Sequence, residues 1–453
     1  MIAGTGPAAR RSGSSKTPPV LSLTFRVKTQ EYQPMDKFII NGPTRLEGKV
    51  PTAAAKNAVL PILAACLLTE EPCTIRDVPL LEDVRTMARL LRSLGAQVEQ
   101  RKHNVKLAAA GKIERTATYD IVRKMRASYY VLGPLLGRFG DARVSLPGGC
   151  AIGPRPVDLH LKGIAALGAD VRLEHGYIHA TGRLRGGTML LEGSSGPSVG
   201  ATANTMMAAC LADGETIIQG AACEPEVSDL AGFLMAMGAK IEGCGTPTIR
   251  IKGVKRLRGA DYRPIPDRVE AGTLAVAAAI TRGSLEITGC EPAHLTSAID
   301  SLRRAGATVE TGKRKMFVSA ERRPTPANIT TAPYPGFATD LQAQFTALLA
   351  LGHGTSVVTE NVFEARFLHA LELNRMGAKI DINGRTAVVQ GVERLSGAQV
   401  MASDLRASAA LVLAGLAAEG ETEIQRIYHL DRGYESLEQK LGAVGAKIER
   451  VSY

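Results

Sequence analysis

Tryptophan is absent from the 453 residues, and aromatic side chains make up only 4%. A nucleic-acid platform needs stacking aromatics among clustered bases. The chain has neither, so no nucleic-acid partner is expected. Lys and Arg outnumber Asp and Glu by 55 to 44, but no block of consecutive bases carries the net charge of +11. A spread excess of this kind suits a small anionic substrate held by a few convergent arginines. Long apolar runs are also missing. The longest candidate, Ala407–Ala418, falls short of the roughly 20 residues a spanning helix requires, so no membrane partner is expected. No two of the seven cysteines (66, 73, 150, 210, 223, 244 and 290) stand at Cys-x-x-Cys spacing. Structural zinc is therefore not expected. Scattered thiols in a chain of this length point to a reducing, cytoplasmic compartment and mostly buried side chains.

Residues 1–34 lack the apolar core of a signal peptide and carry Arg10, Arg11, Lys16, Arg26 and Lys28 against Glu31. This stretch is expected to be a disordered extension that contributes nothing to the fold.

The rest of the chain repeats. An aliphatic residue, then Gly-Ala, one position and Val or Ile recur at Gly95, Gly168, Gly238, Gly306, Gly377 and Gly445, spaced 68 to 73 residues apart. Helical apolar spacing precedes each glycine, as in Leu230, Phe233, Leu234 and Met237. The glycine is expected to take the left-handed turn at the helix C-terminus, and an alternating strand follows. Another β-rich stretch lies about twenty residues upstream, as in Thr216-Ile217-Ile218. The unit is strand, loop, helix, glycine turn, strands. Units this long are unlike thin solenoids, and six of them group naturally into two globular halves of three.

Extended motifs in order carry a resemblance. They include Ala55-Lys56-Asn57-Ala58, Met125-Arg126-Ala127-Ser128, Pro147-Gly148-Gly149-Cys150 and Arg155-Pro156-Val157-Asp158-Leu159-His160. Further on come Ser198-Val199-Gly200, Pro266-Asp267-Arg268-Val269-Glu270, Ala338-Thr339-Asp340-Leu341, Asp404-Leu405-Arg406 and Asp431-Arg432-Gly433-Tyr434. From about Met35 to the C-terminus the sequence resembles the enolpyruvyl transferases, and among them the branch acting on UDP-N-acetylglucosamine in bacterial cell-wall synthesis. The resemblance implies an α/β fold of two inside-out α/β barrel domains built from six strand-helix-strand repeats. One barrel would comprise 35–55 and 265–453, and the other 56–264 with the Cys150 loop. It implies transfer of the enolpyruvyl group of phosphoenolpyruvate to the sugar 3-hydroxyl with release of phosphate, the first committed step of peptidoglycan synthesis. No cofactor is implied, and the oligomeric state is not indicated.

Individual residues have competing readings. Cys150 follows a strand and two glycines, so a mobile loop is expected, and Arg155 nearby favours thiolate. The other six cysteines read as small buried hydrophobes. By resemblance Cys150 is the general acid that protonates the methylene carbon. Lys56, Arg126, Arg155 and Arg432 would each by default be solvated surface bases. By resemblance Lys56, Arg155 and Arg432 hold phosphoenolpyruvate, and Arg126 serves the nucleotide side. Asn57 either caps the helix that follows or touches the substrate. Asp340 is similar to the base that takes the hydroxyl proton. Asp404 is either a second acid of the pocket or an ion-pair partner of Arg406. Pro156, Val157, Asp158 and Leu159, with Ser198, Val199 and Gly200, resemble nucleotide-binding segments, and Val362 a position touching the acceptor. His160 reads as structural. The sequence departs from the family pattern at Ala53-Ala54, Gly196 and Cys223. Alternatives are an enolpyruvyl transferase with another acceptor, shikimate phosphate or a nucleoside, or a non-catalytic UDP-sugar sensor. Lys56, Arg126, Cys150 and Arg155 belong to the first half, and Asp340, Asp404 and Arg432 to the second. Closure of the halves on the ligands is therefore expected, with Lys56 and Arg155 on one side and Arg432 on the other repelling until an anion lies between them.

Overall fold

Six glycines set the frame of the fold. Gly95, Gly168, Gly238, Gly306, Gly377 and Gly445 have φ of 99°, 88°, 102°, 92°, 91° and 105°. Each is the left-handed turn that ends a helix and starts a strand, a conformation glycine adopts without a Cβ clash. The structure, a computed structural model, describes residues 36–146, 157–194, 196–364 and 366–452, together with Met1 and Gly4.

Each repeat forms one four-stranded sheet, and all six sheets share a pairing scheme. In the third repeat Thr188–Leu190 runs parallel to Glu215–Gln219, which pairs antiparallel with Thr248–Lys252, itself antiparallel to Lys240–Glu242. Three sheets borrow a strand from a distant segment. Glu47–Pro51 joins the fourth repeat beside Ser284–Thr288, and Asp261–Tyr262 joins the first beside Cys73–Ile75. The sixth sheet is completed by Asp36–Gly42 between Gly420–Gln425 and Ile448–Ser452. Among the described residues the six four-stranded sheets stay separate, without a ladder closing them into one barrel.

Helices divide into two kinds. One kind is apolar on all sides and buried on all sides, as a central helix must be. Arg268–Ile280 buries 12 of its 13 residues, Gln342–Ala350 all nine, and Leu405–Ala417 eleven of 13. These three pack on one another, and Lys56–Ala65, Leu132–Phe139 and Val199–Ala209 fill the corresponding places in the first three repeats. The other kind, such as Glu82–Ser93 and Thr296–Arg304, buries one stripe and keeps charge on the opposite face. Helices of the first kind are called inner here.

The buried apolar residues fall into two clusters. One runs from Ala55 to Leu257; the other combines Phe38–Val50 with Val269–Val444. The chain passes between them twice, near residues 53 and 266. The two passes hold each other: Ala54 bridges Pro266, Ala55 N donates to Ile265 O at 2.8 Å, and Asp267 N donates to Ala53 O at 2.8 Å.

Candidate active site at the N-terminal ends of the inner helices

The sequence-selected residues within the described segments cluster at the N-terminal ends of inner helices or close beside them. Lys56 is the first residue of Lys56–Ala65 and Asn57 the second. Asn57 does not cap this helix: the cap position is Ala55, without a side-chain bond. The free amide of Lys56 is instead taken, at 3.3 Å, by Asp267 Oδ2 from 211 residues away. Asp267 also caps its own helix, accepting from Val269 N at 2.8 Å and Glu270 N at 3.0 Å. Ser198 caps Val199–Ala209 through Ala201 N at 3.3 Å. Asp340 lies in the turn Thr339–Leu341 that leads into Gln342–Ala350. Unpaired N–H groups and the helix dipole make such ends favourable for anions.

Charged side chains converge on these ends. Lys56 Nζ lies 3.3 Å from Asp83 Oδ2, and Arg432 Nε lies 2.9 Å from Asp83 Oδ1. Asp83, in the first half, thus supplies the counter-charge between two bases expected to repel, and it ties Arg432 of the second half into place. Asp340 is gripped by Arg406 at 2.8 Å and Arg366 at 2.7 Å. The anticipated Asp404–Arg406 ion pair is not formed. Asp404 Oδ1 caps the helix, accepting from Arg406 N at 2.8 Å and Ala407 N at 3.1 Å, which leaves the Arg406 guanidinium for Asp340. Burial lowers the pKa of the Lys56 ammonium; Asp83 and Asp340 oppose the shift, while Arg406 and Arg432 add to it. Burial would raise the Asp340 carboxyl, but Arg406 and Arg366 together overturn that and hold it well below the usual carboxylate range. Four cationic side chains thus share two carboxylates, Asp83 and Asp340, while Asp267 and Asp404 are engaged by helix N–H groups.

A second group adjoins it. Arg126 opens the turn Arg126–Val131, and its charge is felt by Tyr129, Tyr130 and His160. Val157 precedes the helix Asp158–Ala166, which Asp158 and Leu159 begin. A Cβ placed on Gly193 would meet Leu159 Cδ1 at 3.3 Å, and one on Gly200 would meet His160 Cε1 at 2.8 Å. The 157–160 segment therefore touches the 193–200 segment. His160 is indeed anchored in the core. Asn204 Oδ1 accepts from Gly133 N, which leaves Nδ2 to donate to Tyr129 O and to His160 Nδ1 at 3.0 Å. Nδ1 is thus an acceptor, and burial, with Arg126, lowers the ring's pKa to about 4. The groups connect through Glu226, which pairs with Arg268 at 2.9 Å, and Arg268 in turn feels Asp340. Val362 lies just past the strand Thr355–Thr359, its N–H held by Glu360 Oε1 at 2.8 Å.

Cys150, Arg155 and Pro156 lie outside the described residues. Of the other cysteines, Cys66, Cys73, Cys210 and Cys290 are buried, while Cys223 and Cys244 are partly exposed. Gly196 has φ of 89°, and a Cβ there would stand 3.0 Å from Pro333 Cγ, so glycine relieves strain at this departure. Asp83 and Arg366 were not singled out from sequence. An acid in the first turn of a helix is commonplace, and nothing near Arg366 marks it. Arg268, Arg406 and Tyr434 did lie within the quoted motifs.

The family described as EPSP synthase (3-phosphoshikimate 1-carboxyvinyltransferase) matches residues 40–441. A UDP-N-acetylglucosamine 1-carboxyvinyltransferase from Trichlorobacter lovleyi is 54% identical over 92% of this chain and 100% of its own length. One from Enterobacter cloacae is 53% identical over 92% of this chain and 99% of its own. Among solved structures, the enolpyruvyl transferase NikO from Streptomyces tendae superposes with a TM-score of 0.84 at 26% identity, over 93% of this chain and all of that one. EPSP synthase from Acinetobacter baumannii, at 19% identity and a TM-score of 0.70 over 92% of this chain and all of that one, shares the fold.

Proposed function

The chain belongs to the enolpyruvyl transferase family, and on that basis we propose that it transfers the enolpyruvyl group of phosphoenolpyruvate to the 3-hydroxyl of UDP-N-acetylglucosamine. The observation that carries this reading is the convergence of Lys56 and Arg432 on Asp83, built jointly by both halves at the helix ends. Phosphoenolpyruvate brings a phosphate and a carboxylate, which forked guanidiniums and an ammonium fit. Lys56 and Arg155 hold it from the first half and Arg432 from the second. Arg126, residues 156–159 and residues 198–200 take the nucleotide, while Asn57 and Val362 face the acceptor sugar.

The sugar oxygen attacks C2 of phosphoenolpyruvate as its proton passes to Asp340, and Cys150 delivers a proton to C3. The product is a tetrahedral ketal. Loss of phosphate from C2 and of a proton from C3 then restores the double bond as a vinyl ether. Asp340 is a weak base at rest, because two guanidiniums favour its ionised form. It therefore holds the hydroxyl by hydrogen bonding and accepts the proton only as the new C–O bond drains charge from the oxygen. Asp404, as a helix cap, lines the pocket rather than transferring protons. The two apolar clusters correspond to two domains, 35–55 with 265–453 and 56–264, that close on the substrates and exclude water. The chain works in the cytoplasm, on the first committed step of peptidoglycan synthesis.

The test is phosphate release from phosphoenolpyruvate with UDP-N-acetylglucosamine, shikimate 3-phosphate or a free nucleoside as acceptor. Release with UDP-N-acetylglucosamine alone is expected. Release only with another acceptor would overturn the substrate, and binding without release from any acceptor would make the chain a sensor.

A further inference from the structure

Glu360 stands just past the strand Thr355–Thr359 and is fully buried at 0% exposure. No ion-pair partner among the described residues faces it. Its carboxylate is met instead by four hydrogen-bond donors. Oε1 accepts from Val362 N at 2.8 Å, Phe363 N at 3.0 Å and the Thr331 hydroxyl at 2.8 Å. Oε2 accepts from the Thr339 hydroxyl at 2.8 Å. A carboxylate can only accept, so both hydroxyl protons point at Glu360. The threonine oxygens are then free to accept. Thr331 takes Asn361 N at 2.9 Å, and Thr339 takes Arg366 Nη1 at 2.9 Å. Arg366 reaches Asp340 Oδ1 with its other nitrogen at 2.7 Å. A continuous chain of bonds therefore runs from the 361–363 loop through Glu360, which accepts on both sides, and Thr339 to Arg366, which donates on both sides, and so to Asp340.

We propose that Glu360 is a positioning residue for the transfer: its buried carboxylate locks the acceptor-facing loop at Val362 to the Arg366–Asp340 pair, so that the sugar and the group receiving its proton are placed as one unit. This rests on the reading of Asp340 and Val362 given above. The physical grounds are the continuity and burial of the chain. A fully desolvated carboxylate surrounded by donors is strongly held, because each unmade bond would leave a buried polar group unsatisfied. Both ends of the chain lie at the site, whereas a carboxylate serving only the fold could take its donors from the loop alone.

The two ends can be cut separately. In Glu360→Gln the amide oxygen keeps the three donors at the loop side, and the NH₂ is forced toward Thr339. That hydroxyl then accepts from both the amide and Arg366, its own proton loses its acceptor, and its bond to Arg366 is no longer strengthened by a carboxylate behind it. Thr339→Val cuts at the same link, and Thr331→Val cuts on the loop side. The experiment is steady-state kinetics over pH with the full chain, with thermal unfolding as a fold control. For Glu360→Gln and Thr339→Val we expect kcat to fall about tenfold, the loss of one hydrogen bond to a charged group, with KM for UDP-N-acetylglucosamine nearly unchanged. The acid limb of kcat should move to higher pH, since Arg366 then stabilises ionised Asp340 less well. The double variant should lose no more than either single one, because both cut one link. Thr331→Val should raise KM for the acceptor and spare kcat. Folded Glu360→Gln and Thr339→Val with wild-type kcat and acid limb would overturn the coupling. Asp340→Asn separates the two readings. If it is inactive while Glu360→Gln is normal, the coupling alone fails; if it is fully active, the role of Asp340 fails and the coupling with it.

Discussion

The two ends of the inner helices use arginine in opposite ways. At the C-terminal ends Arg138 donates to Leu67 O at 2.9 Å, Thr69 O at 3.1 Å and Ala109 O at 3.0 Å. In the other half Arg323 donates to Leu351 O at 3.0 Å, Gly352 O at 2.7 Å and Val392 O at 2.6 Å. Leu67, Thr69, Leu351 and Gly352 lie at or just past helix C-termini, at the negative end of the dipole, and Ala109 and Val392 follow strands beside them, so the charge is welcome there and the fold alone accounts for it. At the N-terminal ends Lys56, Arg432, Arg406 and Arg366 oppose the dipole; their side chains pair with Asp83 and Asp340, while Asp267 and Asp404 are taken by helix N–H groups. Placing cations there makes physical sense if an anion completes the set. One kind of residue is structural at one end and functional at the other, and the difference lies in what the helix end offers it.

Breaking the charged end should have the largest effect. Asp340→Asn is expected to lower kcat by about 10²–10⁴, the range for loss of a positioned acid–base group, measured by phosphate release. It should also alter acid stability. The folded pKa of Asp340 lies below its ordinary value of 3.8. Its contribution to stability is therefore complete above that value and lost as pH falls through the lower folded one. Urea midpoints should accordingly fall less steeply with acidification in the variant. Next, Arg432→Ala should weaken the phosphoenolpyruvate step by about 2–4 kcal/mol and leave UDP-sugar binding nearly intact, as read by calorimetry with each ligand.

Asp83→Asn sharpens the comparison through pH. Burial already lowers the Lys56 pKa, and Asp83 opposes that shift. Without the carboxylate, Lys56 should lose its proton at still lower pH. The alkaline decline of kcat/KM for phosphoenolpyruvate should then begin earlier; an unmoved or later limb would contradict the bridge. The smallest catalytic effects are expected at the other end. Arg138→Met or Arg323→Met should cost about 1–3 kcal/mol of stability by leaving carbonyls unpaired, seen in chemical denaturation, with kcat unchanged.

Much of the fold was legible because it repeats. Six glycines at near-even spacing fixed where helices end, and the left-handed φ at each shows why no other residue suits. The site was legible only where local chemistry was unusual. Asn57 looked like a cap, but the cap came from Asp267, a contact that spacing cannot reveal. Asp404 and Arg406 looked like a pair, but backbone amides two and three residues on claimed the carboxylate first. Asp83 was invisible because its partners, Lys56 and Arg432, come from opposite ends of the sequence.

The most direct test sets stability against catalysis for both ends in one series: Asp340→Asn, Arg432→Ala, Asp83→Asn, Arg138→Met and Arg323→Met. Unfolding free energy and kcat/KM for phosphoenolpyruvate with UDP-N-acetylglucosamine are measured for each. The first three should lose kcat/KM far beyond what their stability explains, and the last two should lose stability alone. Variants at Arg138 or Arg323 that lose kcat/KM while folding normally, or site variants whose activity merely follows stability, would contradict the division between the two ends.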